Sequence, residues 1–137
     1  MDLIEVLKVD TEKELAKVYQ IRTTVFVEEQ NCPPELEWEN EEVSTHFLAT
    51  YNQVPAGACR WRQTEKGFKL ERFAVLQEFR GKGVASKMVQ TVINDLPESA
   101  TYIYLHAQVS AMPLYLKANF VAEGEMFEEA GIQHYKM

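Results

Sequence analysis

The chain has 137 residues, a length that predicts one domain with room for a buried core. Its 46% apolar and 26% charged residues are the balance of a folded globule rather than of a disordered chain. A formal charge of −7 argues against a general nucleic-acid binder, which needs a basic face, and no apolar run approaches the ~18 residues of a membrane span.

The first ten residues, MDLIEVLKVD, carry acids inside their apolar run and lack a basic leader region, so they do not read as a secretion signal. A cytoplasmic protein is expected, with reduced thiols at Cys32 and Cys59. His46, His106 and His134 stand far apart without metal-ligand spacing, so no metal is expected. The acidic balance suits a cationic partner such as an amine.

Residues 2–9 predict a first strand. Thr11 and Glu14 have capping-box spacing, and Leu15, Val18, Tyr19, Val25 and Phe26 recur at helical period, predicting a helix over 12–26. Arg22 falls on that apolar face, either as an anion or substrate contact or as a buried arginine bonded to carbonyls or a carboxylate. Residues 27–44, rich in glutamate and holding Pro33-Pro34, predict a long loop: a binding loop, or an acidic rim with Trp38 covering a little core.

A meander follows. Residues 45–51 and 56–62 predict strands about a turn at Asn52-Gln53, and 68–75 predict a third after a turn over 63–67. Val84, Met88, Val89, Val92, Ile93 and Leu96 form one helical stripe, stopped by Pro97. Residues 101–107 predict a strand, 110–118 a short helix, and 120–127 with 132–137 a final strand pair. The fold class is α/β of the α+β type, in the order β-α-β-β-β-α-β-α-β-β.

The junction Arg80-Gly81-Lys82-Gly83 lies between a strand and a helix. Gly81-x-Gly83 continues to Ser86 where a dinucleotide fingerprint needs glycine, and no nucleotide P-loop occurs in the chain. Free N–H groups at a helix start attract an anion, and glycines allow it a close approach. A β-to-α turn that binds nothing is the alternative.

Arg80-x-x-Gly83-x-Ala85, preceded by Phe73-Ala74-Val75, resembles the acetyl-CoA signature of the GNAT (Gcn5-related) N-acetyltransferases. Tyr115-Leu116-Lys117-Ala118-Asn119-Phe120 resembles that family's Tyr-x-x-x-Gly-Phe segment, with Asn119 in place of Gly. Arg22-x-x-Val25-Phe26-x-x-Glu29-Gln30, Ala107-Gln108 and Glu129-Ala130-Gly131-Ile132-x-His134 resemble the bacterial YjcF-like and ElaA-like subgroup. The resemblance covers nearly the whole chain. It implies one GNAT-like domain over 1–137, with a mixed, mostly antiparallel sheet flanked by helices.

The resemblance also implies roles. Phe73, Ala74 and Val75 would run beside pantetheine, with the Phe73 N–H polarising the thioester carbonyl. Arg80, Gly81, Lys82, Gly83, Val84, Ala85 and Ser86 would hold the pyrophosphate, and Gln108 would also touch the cofactor. Arg22, Phe26, Glu28, Glu29 and Gln30 would face the acceptor. Tyr115 would be the general acid for the departing CoA thiolate. Histone-modifying members carry a base at the position of Lys69; here Glu71 shares its strand face, as base or as the salt-bridge partner of Arg60 or Arg62.

Acetyl-CoA is therefore the expected co-substrate. The acceptor is an amine, either a small molecule, an amino sugar phosphate or a peptide amine. A homodimer is also implied. A non-catalytic acyl-CoA sensor and a nucleotide-binding protein are the competing classes.

Overall fold

The computed structural model describes residues 3–30, 43–129 and 132–137. The prolines at 33 and 34, Trp38 and the acidic cluster at 35–42 lie outside the described residues, as do Ala130 and Gly131.

Strand β1 (Ile4–Lys8) leads into α1 (Glu12–Arg22). The helix starts where the capping box predicts: Glu14 N–H donates to Thr11 Oγ1 at 3.1 Å, and the Glu14 carboxylate accepts from Asp10 N–H at 3.1 Å. Its far end differs from the expected stop at residue 26. The chain passes directly into a π-helical segment, Thr23–Glu29, closed by Gln30 N–H to Val25 C=O at 3.1 Å. Val18, Ile21 and Val25 are buried on one face, and the wider turn buries Phe26 as well. That extra residue per turn carries Glu29 and Gln30 onto the same side, a placement regular helical periodicity does not anticipate.

Strands β2 (Thr45–Tyr51), β3 (Val54–Gln63) and β4 (Phe68–Val75) form the meander. β3 begins two residues earlier than predicted, because Asn52 and Gln53 alone make the turn, both at positive φ. A 3-10 turn at Gln77–Phe79 precedes α2 (Val84–Asp95), then come β5 (Ile103–Gln108) and α3 (Met112–Lys117). Asn119 takes φ +72°, and Phe120 N–H closes back on Tyr115 C=O at 3.0 Å, so asparagine fills the left-handed position. That closure delays the last hairpin to β6 (Glu123–Glu129) and β7 (Ile132–Lys136).

The strands make one sheet in the order β1-β2-β3-β4-β5-β7-β6. Every pairing is antiparallel except β4 with β5. The mixed, mostly antiparallel sheet flanked by helices is the predicted fold. Val84, Met88, Val89 and Val92 of α2 pack on one face against Phe47, Leu70 and Leu105. Val18, Ile21 and Val25 cover the other, against Leu48, Ala58 and Ala74.

Candidate active site

The sheet opens at its one parallel pair. β4 and β5 pair only through Phe68–Leu70 and Ile103–Leu105; beyond this, His106, Ala107 and Gln108 pair with β7 instead. β4 also bulges. Arg60 faces Glu71 and Ala58 faces Ala74, so three residues span what two span on β3, and Arg72 takes φ +56°. The bulge keeps Glu71 and Ala74 on the α1 face while Phe73 packs toward the α2 face.

A cavity of about 360 Å³ occupies this opening and draws on both faces. From the α1 side come Phe26, Glu29, Gln30 and Glu71; from the other come Phe73 and Tyr115. Tyr115 is buried, with its ring edge-on to Phe73 at 5.9 Å and to Phe120 at 6.3 Å. Burial holds its phenol well above the usual range, and the neighbouring Cys59 acts in the same direction. The hydroxyl therefore keeps its proton at neutral pH. Gln30 and Gln108 bond to each other across the cavity, with Gln108 Nε2 donating to Gln30 Oε1 at 2.9 Å. Gln108, expected at the cofactor, thus meets a residue expected at the acceptor.

The two readings of Glu71 separate here. Its carboxylate accepts from Arg60 Nε at 3.1 Å and from Arg62 Nε at 2.7 Å, and Lys69 Nζ lies 3.1 Å from Oε2. Burial works to raise its pKa, but the Arg62 hydrogen bonds and the charges of Arg60, Lys69 and Arg62 outweigh it and hold the group at about 2. So acidic a carboxylate is a poor proton acceptor near neutral pH. The contacts favour the second reading, Glu71 as the buried partner of three cations. Arg60 and Arg62, which would have favoured a phosphorylated acceptor by facing the cavity, turn onto Glu71 and do not line it.

Strand pairing assembles a polar wall from residues to which the motifs assigned no role. His106 and His134 line the cavity with Glu129, and His106 Nδ1 lies 3.3 Å from Glu129 Oε1. The signal was present in sequence as alternation, since His106 and Gln108 share one face of β5. Their partners depend on the β5-β7-β6 register, which local sequence does not carry.

The glycine junction borders a second cavity of about 340 Å³, lined by Arg80, Gly81, Gly83, Val84, Ala85 and Ser86 among others. Gly81 and Gly83 take φ of +77° and +91°, and Gly83 is the N-cap of α2. A β-carbon at Gly81 would meet no atom within 4 Å, and one at Gly83 only Ile4 Cδ1 at 3.8 Å. The cradle is open outward at the start of α2, where the first N–H groups have no intrahelical partner, and Lys117, given no site role above, lines it too. These residues fit a pyrophosphate. Val75 and Arg80 line both cavities, which are therefore neighbours.

Three expected site residues lie elsewhere. Arg22 is fully buried beneath α1, with its guanidinium 5.8 Å from the Tyr19 ring centre, and does not line either cavity. Glu28 is exposed outside both. Lys82 turns from the cradle to lie 5.6 Å over the Tyr51 ring.

Comparison with known proteins agrees with this architecture. The family described as acetyltransferase (GNAT) domain matches residues 7–137. The uncharacterized N-acetyltransferase YjcF of Bacillus subtilis (strain 168) is 35% identical, over 92% of each chain. Escherichia coli ElaA superposes with a TM-score of 0.77 at 24% identity, covering 99% of this chain and 98% of that one. An acetyltransferase of Elizabethkingia anophelis, solved with acetyl-CoA bound, superposes with a TM-score of 0.70 at 16% identity, covering 97% and 93%.

Proposed function

The chain belongs to the GNAT acetyltransferase family, and from that premise we propose that residues 1–137 form one domain that moves the acetyl group of acetyl-CoA onto a primary amine by direct attack. One observation carries the reading: the cavity at the β4–β5 opening brings Tyr115 and Phe73 together with the acceptor-side residues Phe26, Glu29 and Gln30, and borders the glycine cradle at Val75 and Arg80. A donor lying along β4 and an acceptor entering beside α1 would meet there.

Gly81, Gly83, Val84, Ala85 and Ser86 hold the pyrophosphate, with Arg80 and Lys117 adding positive charge. The open edge of β4 at Phe73, Ala74 and Val75 lies along the pantetheine, and the Phe73 N–H polarises the carbonyl. Acetyl-CoA supplies an activated acyl carbon and a thiolate leaving group. Tyr115, protonated at neutral pH and lining the cavity beside Phe73, protonates that thiolate.

Glu71 acts in place, neutralising part of the charge of Arg60, Arg62 and Lys69 beside the opening. Because Arg60 and Arg62 are turned onto Glu71 and Arg22 is buried away, an uncharged or cationic amine fits better than an amino sugar phosphate. Small amines and peptide amines are the preferred acceptors. Among the described residues, no helix is long and apolar enough to cross a membrane. The buried free thiol of Cys59 suits a reducing cytoplasm.

Release of CoA thiol from acetyl-CoA across a panel of primary amines tests the function. The reading expects amine-dependent release with one acetylated amine per thiol. A protein that binds acetyl-CoA but releases no thiol with any amine would contradict it.

A further inference from the structure

Three carboxylates border the acceptor side of the cavity, and each is engaged. Glu29 is held by Arg80, Glu71 by its three cations and Glu129 by the histidines. The imidazoles are the remaining proton acceptors among the described residues that line this cavity.

They are not equivalent. His134 donates from Nδ1 to Ile132 C=O at 2.7 Å, and its side chain is only 8% exposed, with Nε2 3.7 Å from Glu129 Oε2. His106 is 25% exposed. Its Nδ1 is bonded to Glu129, which places the ring hydrogen there and leaves the Nε2 lone pair uncommitted to that contact. Phe127 lies edge-on to the ring at 5.0 Å and Tyr104 lies tilted against it at 6.1 Å, and together they restrain its plane. His106 also follows Leu105 as Glu71 follows Leu70, so the two flank the point where the strands part.

We propose that His106, oriented by Glu129, takes the proton from the acceptor amine. The proposal rests on the acetyltransfer reading above and names the proton acceptor that reading lacks. A carboxylate bonded to one imidazole nitrogen orients the ring and leaves the other nitrogen to work as base. The amine nitrogen bonds to the acetyl carbon and the carbon–sulfur bond breaks. One nitrogen proton passes to His106 Nε2, while the sulfur receives the Tyr115 proton. His106 and Tyr115 then return to their starting states by exchange with solvent. Glu129 is a positioning residue. The charged and titratable groups around the ring are Tyr104 on its own strand, Glu129 from β6, His134 and Lys136 from β7, and Lys69 and Glu71 from β4. Lys136 is itself paired with Glu123 at 2.9 Å.

The test is kcat/KM against pH for the wild type, His106→Gln and Glu129→Gln, with acetyl-CoA and whichever of lysine, a polyamine and an aromatic ethylamine the wild type acetylates fastest. CoA affinity and melting temperature are measured on the same samples. His106→Gln is expected to lose on the order of 10²-fold in kcat/KM at an unchanged CoA Kd and to lose the acidic limb. Glu129→Gln, which keeps the imidazole but removes the carboxylate that orients it, is expected to lower kcat with little change in KM or CoA Kd. A purely structural role for Glu129 would lower the melting temperature and leave kcat in place. Normal turnover with an intact acidic limb in His106→Gln, or an unchanged kcat in a folded Glu129→Gln, overturns the proposal alone. No acetylation of any amine by the wild type overturns the acetyltransfer reading, and the dyad's role with it.

Discussion

Arg80 and Glu29 face each other two-on-two, with Nη1 to Oε2 at 2.7 Å and Nη2 to Oε1 at 2.9 Å. Arg80 Nε also donates to Val75 C=O at 2.9 Å, so the guanidinium is fixed at the border of the two cavities. The pair ties the end of the π-helical segment to the glycine cradle. A residue expected at the acceptor thus holds a residue expected at the pyrophosphate.

An incoming pyrophosphate must share Arg80 with that carboxylate and is repelled by its charge. Glu29→Gln should therefore bind CoA more tightly, about three-fold by calorimetry at low salt, an order-of-magnitude effect of removing one nearby anion. Because the pair is exposed, stability should change by less than about 1 kcal/mol. Weaker CoA binding in a folded Glu29→Gln protein would show instead that Glu29 presents Arg80 to the ligand.

Gly83 carries the cradle. At φ +91°, alanine costs roughly 1–2 kcal/mol in backbone strain, but its β-carbon clears every protein atom except Ile4 Cδ1 at 3.8 Å. Gly83→Ala should fold with a lowered melting temperature and bind CoA at least about ten-fold more weakly, because the methyl group stands where the anion approaches. Unchanged CoA affinity would remove the cradle from the binding site.

Glu71 gives a pH signature with a fixed sign. Its folded pKa, about 2, lies below its ordinary 4.5, so its stabilising effect is complete above 4.5 and fades as the pH falls toward 2. The difference corresponds to about 3 kcal/mol. Urea denaturation at pH 7 and pH 3 should show the wild type losing stability between them. Glu71→Gln should begin lower at pH 7, with three cations left around a neutral amide, and lose less on acidification. Its kcat/KM should keep the acidic limb; loss of that limb would restore Glu71 as the base.

Much of this was legible from sequence, for reasons that are local. The Thr11–Glu14 cap, the α2 stripe and the two glycines depend on residues close in the chain, and each appears as expected. The π-helical turn at Thr23–Glu29 did not, because it breaks the 3.6-residue period that marks a helix. The fate of Glu71 turns on the β3–β4 register, which sets Arg60 opposite it, and on Lys69 reaching the same carboxylate. The meeting of His106 and Glu129 requires the register of three strands. Local pattern identifies elements and motifs; long-range pairing decides which charges share a site.

The most direct test of the account is Tyr115→Phe, with kcat, kcat/KM and melting temperature taken from one preparation. The change removes the hydroxyl and keeps the ring contacts with Phe73 and Phe120. With Tyr115 as general acid, kcat and kcat/KM should fall together by on the order of 10²-fold, while CoA affinity and melting temperature stay near the wild-type values. Wild-type turnover in the Phe variant, with a stability loss of about 1 kcal/mol as its sole effect, would make Tyr115 a core aromatic and contradict the mechanism.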